Sequence, residues 1–156
     1  GAPWPFLQRR VQAAQGLFAL RRSSWGEMPP PEAHTADVWL GDSLGEMPLY
    51  YGCADVALLG GSFAPLGGHN LIEAAACGCP LLMGPHTFNF AEAAELALAA
   101  GAAGRVADMR EGVRRAVDLA WDVGRHEWAA RALAFAAGHR GAADRMAAAM
   151  LRLLKD

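Results

Sequence analysis

The chain has 156 residues, enough for one domain with a buried core. Apolar residues make up 53% and charged residues 19%, which excludes a disordered chain. A net charge of −2, with fourteen basic residues spread along the sequence, gives no footprint for nucleic acid or an anionic membrane surface.

No apolar run approaches the roughly 18 residues that span a bilayer. The opening Gly-Ala-Pro-Trp-Pro-Phe lacks a basic stretch followed by an apolar block, so no signal peptide is expected. Three cysteines, an odd number, fit a reducing compartment. Cys77 and Cys79 have the wrong spacing for a redox or zinc pair, so no metal is expected. Cys53, Cys77 and Cys79 all read as small buried thiols.

In chain order, Pro5 to Gln15 reads as helix, ending at Gly16. Leu17 to Leu20 is an apolar run with the look of a buried parallel strand, and Arg21-Arg22-Ser23-Ser24 stands at its carboxyl end. Trp25 to Thr35, with Pro29, Pro30 and Pro31 in a row, reads as a loop. Asp37 to Leu40 is the next strand, and Gly45 is expected to open a helix through Tyr51, with Pro48 in its first turn.

The stretch from Ala57 to Gly84 organises the rest. An apolar strand, Val56 to Leu59, stops at Gly60-Gly61. A loop closes with Gly67-Gly68, then His69-Asn70. A helix runs from Asn70 to Gly78, and Pro80 to Met83 forms a second strand: a βαβ unit. Asn70 is a good N-cap, and the helix behind it offers free N–H groups and a partial positive charge. Glycines before the cap let oxygens approach the backbone. Glu73, one turn in, suits a ribose diol. Phosphate plus sugar means a nucleotide. The same Asn-x-x-Glu spacing is equally a capping box that satisfies only the helix end.

Gly84 to Phe90 is a third strand-end loop, where His86 and Thr87 could reach a donor sugar or carboxylate, although a His in such a loop reads even more readily as hydrogen-bonded surface, and Phe88 and Phe90 read as packing residues. A helix to Ala100 ends at Gly101, and Gly104 to Ala107 is the final strand. Asp108 caps a helix whose stripe is Val113, Val117 and Trp121, widened by Ala116 and Ala120. A helix from His126 to Ala137 is broken at Gly138, and Gly141 to Leu154 forms the last, with Met146, Met150 and Leu153 on one side; such stripes read as core.

Gly60-Gly61-Ser62, the run from Gly67 to Ala75, and Met83 to Phe90 resemble the bacterial 3-deoxy-D-manno-octulosonic acid (Kdo) transferases. Leu40 to Glu46 and Arg21 to Ser24 share the likeness, which runs from about Trp4 to the C-terminus. The resemblance implies a doubly wound parallel, Rossmann-like α/β sheet, residues 1–156 forming the C-terminal donor-binding half of a two-domain GT-B glycosyltransferase. It implies CMP-Kdo as donor and a lipid A precursor as acceptor. The acceptor, the general base and membrane attachment would all belong to an N-terminal half absent from this chain. The full enzyme would work at the cytoplasmic face of the inner membrane. No cofactor is implied.

On this reading Leu44, Gly45 and Glu46 lie on the base side, mostly through backbone. Gly67, Gly68 and Asn70 hold the phosphate with the N–H groups near Leu71 and Ile72, Glu73 holds the ribose, and His86 stands by the sugar. An inverting transfer would gain most from stabilising the departing phosphate. The family's Pro-Arg-His-Pro nucleotide contact is expected just before Trp4, where this chain has Gly-Ala-Pro, so the isolated chain is expected to bind CMP weakly and transfer nothing. A non-catalytic nucleotide- or sugar-binding module, or a GT-B enzyme using another nucleotide sugar, fits the same Asn70 and Glu73.

Overall fold

The computed structural model describes the backbone from residue 16 to 153 and side chains through residue 139. The helix expected over Pro5 to Gln15 and the side chains of Met146, Met150 and Leu153 lie outside the described residues. The chain forms two units, Gly1–Met47 and Pro48–Asp156.

In the first unit, β1 (Ala19–Arg21) pairs in parallel with β2 (Val38–Leu40), Leu20 lying opposite Trp39. The strand begins two residues later than the apolar run suggests. The Phe18 carbonyl instead accepts the Asp37 and Val38 N–H groups, and Asp37 accepts the Phe18 N–H at 2.8 Å. The proline-rich loop contains a 3-10 turn, Pro31–Thr35, with Pro31 at its start, where the missing N–H costs nothing. It is held by Trp39 Nε1, which donates to the Ala33 carbonyl at 3.0 Å.

The second unit carries α1 (Met47–Cys53), β3 (Ala57–Leu58), α2 (Leu71–Ala76), β4 (Leu81–Met83), α3 (Ala91–Ala99), β5 (Ala103–Arg105), α4 (Met109–Ala120) and α5 (Arg125–Leu153). Its strands are parallel in the order β3-β4-β5, with Leu81 opposite both Ala57 and Ala103. Thus the expected parallel α/β class is found, with the ladder in two sheets. Helix α1 starts two residues after Gly45, whose φ of +81° is incompatible with a helical opening.

Side chains alternate across β4, so the strand serves two layers. Leu81 and Met83 join Leu71, Ala74, Ala94, Ala97, Ala132 and Phe135 in one core. On the opposite face Leu82 meets Trp128 and Arg115 around Gly104. Both α2 and α3 end in the same device. The Gly78 and Cys79 N–H groups return to Ala75 and Ala74, and the Gly101 and Ala102 N–H groups to Leu98 and Ala97, with both glycines at positive φ.

Helix α4 differs from the sequence expectation. It approaches the sheet through Gly112, where Phe63 and Leu58 fill the space a Cβ would need. That register turns the period-four stripe outward: Val113 is 50% exposed, Val117 55% and Trp121 88%. Gly138 does not break the last helix, because one glycine costs only about 1 kcal/mol amid strong helix formers. Cys53 is exposed, Cys77 intermediate and Cys79 buried, so the expectation of three buried thiols holds only for the last. Burial pushes the Cys79 thiol up to about 11, with the neighbouring Cys77 and Asp55 adding to the shift.

Candidate functional site

Parallel strands place their carboxyl ends on one edge, where open α/β sheets receive ligands. In the second unit that edge carries the Gly60–Asn70 loop after β3, the Gly84–Phe90 loop after β4, and Arg105 at the end of β5. The first two loops are stitched together. Ser62 is fully buried; its Oγ donates to the Leu59 carbonyl at 2.7 Å and accepts the Gly84 N–H at 2.8 Å. The Ser62 carbonyl accepts the His86 N–H at 3.0 Å, and the Gly67 carbonyl accepts the Asn89 N–H at 3.1 Å. Asn89 Nδ2 also donates to the Leu66 carbonyl at 3.1 Å.

These bonds account for Gly67 and Gly68 differently from the sequence reading. Both have positive φ, +88° and +79°. A Cβ on Gly67 would stand 2.3 Å from Asn89 Nδ2, so an internal side chain occupies the space expected for a ligand oxygen. The Gly68 N–H is used by the Gly61 carbonyl at 3.1 Å.

Asn70 caps α2 as expected, its Oδ1 accepting the Ile72 N–H at 3.1 Å. Ile72 therefore has no N–H to spare, a correction to its expected role as donor. The Leu71 N–H and Asn70 Nδ2 have no partner among the described residues. Leu71 itself is buried and anchors the helix in the core.

Glu73 is half-buried and makes no hydrogen bond or ion pair among the described residues. The contrast with α4 is informative, since both helices have an Asx-x-x-Glu start. There, Asp108 Oδ1 accepts the Glu111 N–H at 2.8 Å and Glu111 Oε2 accepts the Ala107 N–H at 2.7 Å, a closed reciprocal cap. At α2 only the Asn70 half of the cap forms, and the Glu73 carboxylate is left over. Beside it, the Tyr51 phenol is shifted up, first by burial and then by the charge of Glu73.

His86 is half-buried with its ring free of partners among the described residues, whereas Thr87 is buried. Thr87 Oγ1 accepts from Arg105 Nη2 at 3.1 Å. Phe90 packs on the core, but Phe88, expected to pack, is 63% exposed.

In the first unit Asp42 binds the end of β1 to the loop after β2. It accepts from Arg21 Nε and Nη2 at 2.8 and 2.6 Å, and from the Ser23 N–H and Oγ at 2.8 and 2.7 Å. Burial works to raise its pKa, but the Ser23 and Arg21 hydrogen bonds and the Arg21 charge outweigh this and hold it at about 2. Arg22 Nη2 meets Glu46 Oε1 at 2.9 Å, so the Glu46 carboxylate is engaged, while Leu44 is fully exposed and Gly45 exposed. Ser62, Asn89 and Arg105 were not singled out from sequence. Ser62 stood inside a recognisable Gly-Gly-Ser string, but Arg105 carried no local signal.

No protein-family model matches the chain. Over 137 residues it is 51% identical to the 3-deoxy-D-manno-octulosonic acid transferase of Bordetella pertussis, a match covering 87% of this chain and 31% of that protein. Kdo transferases of Haemophilus influenzae and Aquifex aeolicus are 45% identical over 75 residues (48% of this chain, 17% of that protein) and 34% identical over 83 (53% and 24%). The crystal structure of the C-terminal CMP-Kdo binding domain of WaaA from Acinetobacter baumannii superposes with a TM-score of 0.72 at 26% identity, covering 86% of this chain and 69% of that one.

The chain is a homologue of the Kdo transferases.

It spans about a third or less of the length of the curated relatives it matches. It shares its α/β fold with that C-terminal domain of WaaA. No helix among its described residues is long and apolar enough to cross a membrane.

Proposed function

We propose that this chain is the donor-nucleotide module of a GT-B Kdo transferase and binds CMP-Kdo through the carboxyl-end loops of its second unit. The observation that carries the reading is the Glu73 carboxylate one turn behind a half-used cap, which with Asn70 Nδ2 and the Leu71 N–H has no hydrogen-bond partner among the described residues. An anion suits that helix start, and a diol suits the carboxylate behind it. Asn70 Nδ2 and the Leu71 N–H serve the phosphate, Glu73 the ribose, and His86 the sugar. Gly67 and Gly68 shape the turn that leads into the cap.

In the full-length protein this module presents the donor for inverting transfer of Kdo to a lipid A precursor. Hydrogen bonds at the Asn70 end then stabilise charge developing on the departing phosphate. The acceptor site, general base and membrane attachment belong to the remainder of that protein, which acts at the cytoplasmic face of the inner membrane. Calorimetric titration with CMP, and with UMP as control, tests the reading. CMP-selective binding supports it, and equal binding of the two nucleotides would sink the site assignment.

A further inference from the structure

Arg105 closes β5, and its guanidinium joins two neighbouring elements. Nη1 meets Glu95 Oε1 on α3 at 2.8 Å, and Nη2 donates to Thr87 Oγ1 at 3.1 Å. The Arg105 carbonyl in turn accepts from Arg115 Nη1 at 3.2 Å. The Glu95 side chain is 66% exposed, so that ion pair is screened by water and contributes little. The Thr87 contact is of another kind. Thr87 is 6% exposed, in the middle of a segment whose flanks are bonded to the glycine loop: His86 to the Ser62 carbonyl, and Asn89 to Gly67 and Leu66. Arg105 Nε is buried without a partner among the described residues, a cost that a purely space-filling side chain would not carry.

We propose that Arg105 is a positioning residue for the nucleotide site. Through Thr87 it fixes the Gly84–Phe90 loop, and through that loop the Gly67–Gly68 turn ahead of Asn70, without touching the nucleotide itself. The inference rests on the donor-nucleotide reading above.

The test is titration of CMP into the chain and its variants, together with the amide resonances of Gly67 and Gly68. Arg105→Ala is expected to weaken CMP binding about tenfold, the contribution of one charge-assisted hydrogen bond. Thr87→Val should lose a similar amount, and the double variant no more than either single one, because the two side chains act through one bond. Arg105→Lys, which keeps a cationic donor, should recover most of the loss, and Glu95→Gln should change nothing. Both glycine amides should shift in Arg105→Ala and in Thr87→Val. Should Arg105→Ala fail to fold, the Thr87→Val and Arg105→Lys arms still decide the matter. CMP affinity within about twofold of the parent, or additive losses, overturns the proposal. Weakened binding with unmoved glycine amides also overturns it, since Arg105 would then act on the ligand directly. A parent chain that binds no CMP brings down the donor reading and this inference together, leaving any glycine shift as structural only.

Discussion

Glu73→Ala is the sharpest perturbation of the proposed site, because the side chain does nothing visible for the fold. Its carboxylate makes no hydrogen bond or ion pair among the described residues, so its removal leaves no buried group unpaired. The unfolding free energy should therefore change by less than about 0.5 kcal/mol. Glu111→Ala, by contrast, strips a 2.7 Å bond from the Ala107 N–H and should cost about 1 kcal/mol. Binding is where Glu73 should count. Two ribose hydroxyls donating to one half-buried carboxylate contribute about 2–3 kcal/mol after screening, or roughly 30- to 150-fold in Kd. Calorimetry with CMP and 2′-deoxyCMP separates this from a general loss of affinity. The parent should prefer CMP over the deoxynucleotide by about tenfold, one hydrogen bond's contribution, and Glu73→Ala should abolish the preference. A variant that retains both the affinity and the preference would refute the ribose assignment, and with it the inference drawn from the half-used cap.

Gly67→Ala should destabilise the chain by about 2 kcal/mol or more in urea unfolding, since φ is +88° and the new Cβ would meet Asn89 at 2.3 Å. Asp42 has its folded pKa depressed from 3.8 to about 2, so its contribution is complete above about pH 4 and is lost as pH falls through about 2. The stability advantage over Asp42→Asn, followed by urea titrations across that window, should shrink accordingly; a difference independent of pH would refute the bonding assigned to Asp42. Gly138→Ala should stabilise the chain by about 0.5–1 kcal/mol, because Gly138 is helical with open space where its Cβ would lie. A destabilised Gly138→Ala would argue for the break that the sequence suggested.

Wherever the determinants are local, the sequence alone determined the outcome. Gly78 and Gly101 end their helices in left-handed geometry because those turns need a residue without a Cβ, and Asn70 and Asp108 cap because a short side chain reaches the next turn's N–H groups. The family likeness was legible for the same reason, since it lies in contiguous strings such as Gly60 to Phe90. Tertiary structure decided what local pattern leaves open. Asn70-x-x-Glu73 and Asp108-x-x-Glu111 read alike, yet only the second closes on itself, because the outcome depends on how the preceding chain enters the helix. The α4 stripe reads as core, but Phe63, nearly fifty positions earlier, seats against Gly112 and turns Val113, Val117 and Trp121 outward. Gly67 looked like room for a ligand until Asn89, from the next strand's loop, filled it. Arg105 gained meaning only through Thr87, on a loop that a parallel ladder alone brings alongside. A sequence specifies such contacts only jointly, since each depends on strands that pair across long intervals of chain.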